Sequence, residues 1–376
     1  MYLKERIFEM VTCYCCGEEI DVDDAYNVEG EYVCESCYDE ETFECDCCND
    51  RIFYNNRISD YYTMICECCY ENHYYRCEKC DCLVYNEDVY WVGDYAYCSE
   101  CYDEIKDNFR IKSYNYKPKP IFYKRDNEEA VRYYGVELEI DDGGHDDDNA
   151  NQILKTANLS DELLYAKTDS SLNDGMELVS HPCSINFHRE KFPWIDVLNE
   201  AVELEYSSHY TKTCGFHIHI GRNELGETLE QQEEVIGRIM FFFESHWNEL
   251  VKFSRRTSRQ IEQWTARRGF QAQPADILDN AKKKRYERYT CVNIANTNTV
   301  EIRLFKGTLK FNTFIATLEM VDSVCENAVK LTDEEIKKQS WSDFVTAVDP
   351  NYTELIQYLK EKRLYINEPV FVEAEV

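Results

Sequence analysis

The sequence predicts an α+β fold in which an antiparallel sheet is covered by helices on one face, preceded by a small repeat module. Three observations predict this architecture. Cysteines recur with a fixed period in the first third of the 376-residue chain. Four later segments alternate aliphatic and charged residues with the period of two that is typical of half-buried strands. Helical patterns are segregated from these strands, which favours α+β.

The cysteine period is 32 residues, and each of three units reads C-x2-C-x17-C-x2-C. This spacing lies in the window of a four-cysteine zinc site. The predicted zinc ligands are Cys13, Cys16, Cys34 and Cys37 in the first unit, Cys45, Cys48, Cys66 and Cys69 in the second, and Cys77, Cys80, Cys98 and Cys101 in the third. The spacing leaves open whether each ion takes both cysteine pairs from one unit or from neighbouring units.

Metal binding is favoured over disulfides for these cysteines. The N-terminus MYLKERIFEM carries charges where a secretion signal has an apolar stretch, so we expect a cytoplasmic protein with reduced thiols. A redox array of CxxC pairs is the alternative, but three units in register favour structural zinc. A unit this small cannot bury enough apolar surface to fold alone, so zinc would supply folding free energy. We expect a zinc-stabilised module with about three ions, loosely resembling LIM-type or zinc-ribbon modules.

The charge of the chain excludes some partners. The net charge is −32, and residues 1–110 hold 8 Lys and Arg against 28 Asp and Glu, a net −20. Because nucleic-acid affinity depends largely on Lys and Arg neutralising phosphates, the acidic module disfavours DNA or RNA. For this surface we expect either a basic protein partner or no particular partner. No apolar run approaches the ~18 residues of a membrane span, so no membrane association is expected.

Composition also predicts the domain boundaries. Residues 1–110 form the zinc module, and residues 111–130 form a linker in which Pro118 and Pro120 disfavour helix. Residues 131–330 form the predicted catalytic domain, and residues 331–376 a C-terminal helical extension. Thr228 with Gln231 and Thr332 with Glu335 have the capping-box spacing, which predicts helix starts at these positions; the first helix is predicted over residues 228–252.

The four alternating segments share one design. They are YYGVELEI, GMELVSHP, CGFHIHIGR and NTVEIRLFKGT. If the strands are adjacent, one polar face gathers Glu137, Glu139, Glu177, His217, His219, Glu301 and Arg303. A solvated sheet face is the alternative, but Lys and Ser are absent from these positions. Converging carboxylates raise one another's pKa unless a cation compensates. Oxygen ligands with an occasional imidazole suit Mg²⁺ or Mn²⁺, so we predict a metal site.

The ordered motifs GVELEI, KTDSSLNDGMELVSHP, CGFHIHIGR and YTCVNIANTNTVEIRLFKGT resemble the amidoligase family found in phages and bacteria. This family belongs with the glutamine synthetase and glutamate–cysteine ligase superfamily, and the resemblance covers roughly residues 131–325. It implies a glutamine synthetase-like catalytic domain that joins a carboxylate and an amine substrate through an acyl phosphate. It also implies ATP and Mg²⁺ (or Mn²⁺) as cofactors, and host cytoplasm if the chain is phage-encoded.

The resemblance implies a role for each motif residue. Glu137 and Glu139 match carboxylates that are divided between metal ions, and Glu177, His217 and Glu301 match further metal ligands. His219 matches the histidine facing nucleotide phosphate, and Arg303 the arginine on the transferred phosphoryl group. Thus the implied catalytic set is Glu137, Glu139, Glu177, Glu301 and Arg303.

Two further sets are expected more loosely from the resemblance. The cluster KKKRYER lies where the superfamily has phosphate-binding residues, and Arg285 and Arg288 are the candidates; a solvated charge run is the alternative. Lys167 and Asp169 are candidate substrate contacts.

A second hypothesis for the whole chain is a zinc-scaffold adaptor whose ligase-like domain is catalytically inactive. Nucleotide binding that requires a divalent ion distinguishes the two.

Overall fold

The structure is a computed structural model that describes residues 9–92, 95–105, 109–129, 131–283 and 289–365. The chain divides into two compact units, Met1–Asn108 and Phe109–Val376. Among the described residues, no helix combines the length and apolar character that crossing a membrane would require.

The first unit contains the three cysteine repeats, and each repeat folds as two short hairpins followed by a helix. The strands are β1 Met10–Thr12, β2 Glu19–Asp21, β3 Tyr26–Val28, β4 Glu31–Val33, β5 Thr42–Glu44, β6 Arg51–Phe53, β7 Arg57–Ser59, β8 Met64–Cys66, β9 Tyr74–Arg76, β10 Leu83–Tyr85, β11 Tyr90–Val92 and β12 Tyr95–Tyr97. The helices are α1 Glu35–Glu41, α2 Glu67–His73 and α3 Ser99–Ile105. The first cysteine pair of each repeat lies in the turn of the first hairpin, and the second pair lies at the start of the helix.

The hydrophobic clusters of this unit are small. The cluster of the first repeat contains Val28 and Val33 and takes in Phe53 from the second repeat. The cluster of the second contains Phe43 and Ile65 and takes in Leu83 from the third. The repeats therefore stack through shared side chains, but each buries few apolar residues apart from its cysteines.

The second unit is built on an eight-stranded sheet. Its strands are β13 Ile111–Lys112, β14 Tyr133–Ile140, β15 Leu164–Lys167, β16 Met176–Ser180, β17 Cys183–Ser184, β18 Gly215–Gly221, β19 Val292–Asn293 and β20 Thr299–Lys306. The order is β13-β15-β16-β14-β18-β20-β19, with β17 also paired to β14. The predicted antiparallel sheet is confirmed, except that the edge strand β13 runs parallel to β15. The four predicted strands are consecutive neighbours in this order.

Helices cover the aliphatic face of the sheet. The helices of this unit are α4 Asp147–Ala157, α5 Ile185–Glu190, α6 Trp194–Glu203, α7 Leu229–Ser245, α8 Trp247–Ser254, α9 Ser258–Trp264, α10 Pro274–Lys283, α11 Phe311–Lys330, α12 Asp333–Lys338, α13 Trp341–Ala347 and α14 Thr353–Glu361. The ring of Phe216 in β18 stacks on Phe314 in α11 with centroids 4.5 Å apart, and Trp194 in α6 packs on the same Phe314 ring. Burial of these apolar side chains fixes which sheet face remains for polar residues.

The capping boxes predicted at Thr228 and Thr332 are both present. The helix predicted over residues 228–252 is instead two helices, because the chain leaves helical geometry at His246 between α7 and α8. At this break the His246 ring packs against Phe242 and Trp341.

The sequence placed two segments outside the catalytic domain, but both belong to the same compact unit as its sheet. The predicted linker begins with β13 and continues along the polar side of the sheet. The residues after 330 form α12, α13 and α14, which bury Ile336, Phe344 and Leu355 in the same core as the sheet. Both segments therefore belong to the second compact unit.

Candidate functional site

Strand register places the charged side chains in rows across the polar face of the sheet. Glu177 in β16 lies opposite Lys167 on one side and Glu139 on the other. Glu137 in β14 pairs with His217 in β18. His219 pairs with Glu301 in β20, and Glu301 with Asn293 in β19. Because side chains of directly opposed residues point to the same face, six strands contribute to one polar surface.

The two histidines lie between the carboxylates. His217 Nδ1 is 3.6 Å from Glu137 Oε2 and 3.7 Å from Glu301 Oε1, while its Nε2 is 3.7 Å from Glu139 Oε1. His219 Nε2 is 3.2 Å from Glu137 Oε1. Two of the groups with the donor spacing for a metal ion are Glu137 with His219 and Glu301, and Glu137 with Glu177 and His217. Glu137 belongs to both.

Further groups hold the outer carboxylates in place. Lys167 Nζ lies 2.9 Å from Glu177 Oε2. Arg303 pairs with Glu301 Oε1, and the Asn293 amide donates to Glu301 Oε2 at 2.8 Å. Glu139 accepts a hydrogen bond from the Gly215 backbone N–H. Such partners fix carboxylate orientation, as they do around bound metals.

Burial and charge shift the pKa values of these carboxyls in different directions. Burial and the charge of Glu137 raise the pKa of Glu177 well above its usual value, against the pull of Lys167. Burial also raises the pKa of Glu139, in spite of the neighbouring His217. Burial would raise the pKa of Glu137 as well, but His219 and His217 overcome it and hold that pKa well below its usual value. Burial and mutual repulsion thus disfavour the charged forms of Glu177 and Glu139, which a bound cation would relieve.

The residues fit a divalent cation. The donors are buried or partly buried carboxylate oxygens and imidazole nitrogens, which suit Mg²⁺ or Mn²⁺. The Nδ1 atom of His217 is buried and makes no hydrogen bond to any described residue. A buried polar atom without a partner is costly, so an ion that accepts its lone pair would satisfy it.

Gly215 allows the side chains at one end of the site to approach. A Cβ at this position would lie 2.5 Å from His217 Nε2 and 2.8 Å from Arg256 Nη2, distances that real Cβ atoms do not show. Gly215 thus leaves room for the side chains of His217 and Arg256, which a larger residue would have to displace.

The polar face is the floor of a cavity of about 1150 Å³. All of the predicted floor residues, Glu137, Glu139, Glu177, His217, His219, Glu301 and Arg303, line it, as do the candidate substrate contacts Lys167 and Asp169. One wall consists of aromatic and proline residues from the segment predicted as a linker: Tyr114, Tyr116, Pro118, Pro120 and Phe122. Trp264 and Tyr289 line another part.

Sequence reasoning missed several lining residues. Asn293 stands in a short strand whose pattern VN is too brief to detect, although it directly precedes the predicted strand of Glu301. Arg256 follows the end of a helix, where no periodicity marks it. The predicted phosphate ligands Arg285 and Arg288 lie outside the described residues. Lys282 of the same cluster pairs with Glu233 at 2.7 Å.

The twelve predicted zinc ligands form three four-cysteine groups, each within one repeat. The open question of pairing is thereby answered, because the hairpin turn and the helix start of a single repeat meet. The Sγ atoms of Cys16 and Cys34 are 3.8 Å apart, those of Cys48 and Cys66 4.0 Å, and those of Cys80 and Cys98 3.8 Å. Zn–S bonds of about 2.3 Å in tetrahedral geometry give a sulfur–sulfur distance of about 3.8 Å.

In each group one cysteine has a lowered pKa, which favours its thiolate form. Burial would raise the pKa of Cys13, but backbone N–H groups of Cys16 and Cys34 overcome it and lower the pKa to about 6. The same pattern lowers the pKa of Cys45 to about 7 and that of Cys77 to about 6. Because zinc binds the thiolate, these contacts favour the metal-bound form.

Comparison with known proteins identifies the family of the chain. The sequence model of a family described as "Putative amidoligase enzyme" matches residues 125–325. The chain belongs to this amidoligase family. No curated protein matches it. The resemblance inferred from the four motifs is therefore confirmed, over nearly the same residues.

Two solved structures are weakly similar to this amidoligase. A bifunctional glutathione synthetase from Pasteurella multocida is 12% identical with a TM-score of 0.36, and the match covers 62% of this chain and 46% of that chain. The complex of the prokaryotic ubiquitin-like protein Pup with its ligase PafA gives 10% identity and a TM-score of 0.29, covering 64% and 59%. The chain thus spans less than two thirds of the length of either match.

Proposed function

We propose that the chain is an ATP- and Mg²⁺-dependent carboxylate–amine ligase that forms an amide bond through an acyl phosphate. The observation that carries the proposal is the convergence of four glutamates, two histidines and Arg303 on the floor of one cavity. The amidoligase family supports the reaction class. A solvated sheet face would not enclose these side chains, of which Glu139, Glu177, His217 and Glu301 are buried.

Each residue of the floor has a proposed role. Glu137, Glu139, Glu177, His217 and Glu301 would hold divalent ions, which would neutralise the charge of the nucleotide phosphates. We assign His219 to nucleotide phosphate and Arg303 to the transferred phosphoryl group. Lys167 and Asp169 are assigned to the substrates, because both line the cavity beside the carboxylates.

The proposed reaction has two steps. A carboxylate oxygen of the first substrate attacks the γ-phosphorus of ATP, the bond to the β-γ bridging oxygen breaks, and ADP leaves with an acyl phosphate formed. The amine then attacks the acyl carbon, the carbon–oxygen bond to phosphate breaks, and the nitrogen loses a proton. The chain's residues position the reactants and stabilise developing charge, which is the main requirement in phosphoryl transfer.

The zinc unit is proposed to dock a protein partner or a macromolecular substrate. Its surface combines the net charge of −20 over residues 1–110 with exposed aromatic side chains, among them Tyr14, Trp91 and Tyr95. Carboxylates and aromatic faces both attract Lys and Arg, so a basic protein segment fits this chemistry.

A lysine-rich peptide should bind the full chain with an affinity that falls as the salt concentration rises. Fluorescence anisotropy measures this binding. Equal binding of a glutamate-rich peptide would contradict the docking proposal.

Nucleotide binding should require a divalent ion. Adding ATP with Mg²⁺ to the full chain should raise its melting temperature, because a ligand that binds only the folded state stabilises it. ATP with EDTA should give no shift, since the acidic floor repels phosphate without bound cations. Differential scanning fluorimetry measures both.

The same titration separates the two hypotheses for the chain. A ligase shows the Mg²⁺-dependent shift and releases ADP in a screen of carboxylates against amines. A shift that is absent under every divalent ion contradicts the ligase proposal and favours the inactive zinc-scaffold adaptor.

A further inference from the structure

The third repeat carries a fifth cysteine beside its four-cysteine group. Cys82 stands two residues after Cys80, and the Sγ atoms of these two residues are 3.3 Å apart. This separation is shorter than the 3.8 Å between Cys80 and Cys98, which both belong to the group. Cys80 is exposed and Cys82 is half-buried, so small solutes can reach the pair. Cys82 is not one of the twelve predicted zinc ligands.

The turn between the two cysteines brings their side chains together. Asp81 lies in the turn between β9 and β10 and has a φ of 61°. Arg76 fixes this turn, because its Nη1 lies 3.1 Å from Asp81 Oδ2 and donates to the Asp81 carbonyl oxygen at 2.8 Å. The backbone N–H of Cys77 also donates to the Cys82 carbonyl oxygen at 2.9 Å. The contact between the two sulfur atoms is therefore supported by the surrounding backbone.

The other two repeats have the same turn but a different residue at the position of Cys82. The residues with positive φ in their turns are Gly17 and Asn49, with φ of 79° and 62°. At the 32-residue period, the residues equivalent to Cys82 are Glu18 and Asp50. A carboxylate at this position is thus compatible with a four-cysteine group, and zinc binding alone does not require a thiol there. This difference indicates a separate role for Cys82.

The spacing of the two cysteines permits a disulfide. In a fully extended chain the Cα atoms of residues i and i+2 are at most about 7 Å apart, and a turn shortens this distance. A disulfide requires a Cα separation of about 4.4–6.8 Å. Because the turn already holds the two sulfur atoms in contact, their reaction is intramolecular and has a high effective concentration.

We propose that Cys80 and Cys82 are a redox modification site, at which hydrogen peroxide produces a disulfide that removes one zinc ligand from the third repeat. The Cys80 thiolate attacks a peroxide oxygen, the O–O bond breaks, and the leaving hydroxide takes up a proton as water, which leaves a sulfenic acid on Cys80. The Cys82 sulfur attacks the Cys80 sulfur, the S–O bond breaks, and the Cys82 proton leaves with that oxygen as a second water. The two sulfur atoms lose two electrons, and the peroxide gains them.

Disulfide formation should weaken zinc binding in the third repeat. A sulfur atom in a disulfide is no longer a thiolate, so only Cys77, Cys98 and Cys101 of the group remain as thiolate ligands. Zinc supplies folding free energy, so the lost ligand also lowers the stability of the repeat. Among the described residues, the buried cluster of this repeat consists of Val84 and two of its cysteines. The inference concerns the zinc unit and goes beyond the proposed ligase reaction.

The test uses the full chain loaded with zinc and compares Cys82 with Cys68, an exposed cysteine that is likewise not a predicted ligand. Hydrogen peroxide is added in an amount equimolar to the chain. Released zinc is measured with a chromogenic chelator, and disulfides are located by differential alkylation and peptide mass spectrometry. The wild type should release about one zinc ion and form the disulfide between Cys80 and Cys82. A dithiol reductant with added zinc should restore the original zinc content.

Cys82→Ser should hold as much zinc as the wild type before oxidation and release it at least about tenfold more slowly, because Cys80 has lost the sulfur held against it. Cys68→Ser should release zinc as the wild type does. Cys82→Asp copies the residue of the second repeat, Asp50, and should behave as Cys82→Ser does. It is the variant to use if Cys82→Ser does not fold.

Zinc release from the Cys82 variants at the wild-type rate overturns the proposal, as does a wild-type disulfide that does not join Cys80 to Cys82. A zinc content of Cys82→Ser that is one ion below the wild type before oxidation also overturns it, because Cys82 is then itself a zinc ligand. A wild type that holds no zinc contradicts the zinc sites and, with them, the loss of a zinc ligand on oxidation.

Discussion

Replacing Glu137 by glutamine should abolish ATP turnover and leave the fold intact. Glu137 belongs to two groups of residues with metal-ligand spacing, so one substitution removes a carboxylate from two candidate ion positions. Even partners outside the ligand shell typically change metal affinity or activity by about 10–100-fold, so we expect a loss of at least about 100-fold. ADP release is measured with the carboxylate and amine pair that supports turnover in the wild type.

The fold should survive because glutamine has the shape of glutamate and keeps an oxygen acceptor toward the histidines. A matched control is Glu319→Gln, which replaces a buried carboxyl group of the same unit. Glu319 pairs with Arg189 at 2.8 Å and lies outside the cavity. This control should retain ADP release per folded molecule, whatever its melting temperature. Unchanged turnover in Glu137→Gln would remove Glu137 from the site.

The alternation in CGFHIHIGR and its companion strands could be translated directly into one polar face, because a strand has only two faces and the aliphatic one must be buried. Alternation does not specify which strands are neighbours. Pairing of Glu137 with His217 and of His219 with Glu301 depends on long-range register, which is set by the packing of the whole sheet.

Arg256 shows the limit of pattern reasoning. It stands in FSRRTS, directly after α8, where Arg255 has φ of 66° and ends the helix. A residue just beyond a helix end follows no periodic pattern that predicts where its side chain points. The carbonyl oxygens of Leu304 and Phe305, which accept hydrogen bonds from Arg256, lie about fifty positions further along the chain. The position of the segment after residue 110 could not be predicted either, because prolines predict an extended chain but not the surface along which that chain lies.

The cysteine repeat identified all twelve cysteines of the three groups in the first unit, but not which of them come together. A period of 32 is equally compatible with zinc held inside a repeat or between repeats. The hairpin turn and the helix start come together only once the second hairpin of each repeat reverses the chain, which brings Cys34 N within 3.3 Å of Cys13 Sγ.

Removing zinc should unfold the first unit and spare the second. The clusters around Val33, Ile65 and Val84 are too small to offset chain entropy, whereas a structural zinc site supplies about 10–16 kcal/mol of apparent folding free energy at neutral pH. Elemental analysis of the full chain should find about three zinc ions, on the four-thiolate argument. After chelation, hydrogen exchange should become fast in residues 9–105 and stay slow in the strands β14, β18 and β20.

Two adjacent cysteines test whether the four-thiol group of a repeat is responsible for zinc binding and for the stability of that repeat. Cys69 is buried in the group of the second repeat, while Cys68 is exposed and outside that group. Cys69→Ser should lower the zinc content by about one ion and expose the amides of its repeat, because a hydroxyl is a poor zinc ligand beside three thiolates. Cys68→Ser should keep the wild-type zinc content and exchange pattern. If both variants keep three ions, Cys69 is not a zinc ligand. If the wild type holds one ion or none, zinc does not account for the stability of this unit, and the packing of Phe53 and Leu83 between repeats must supply it instead.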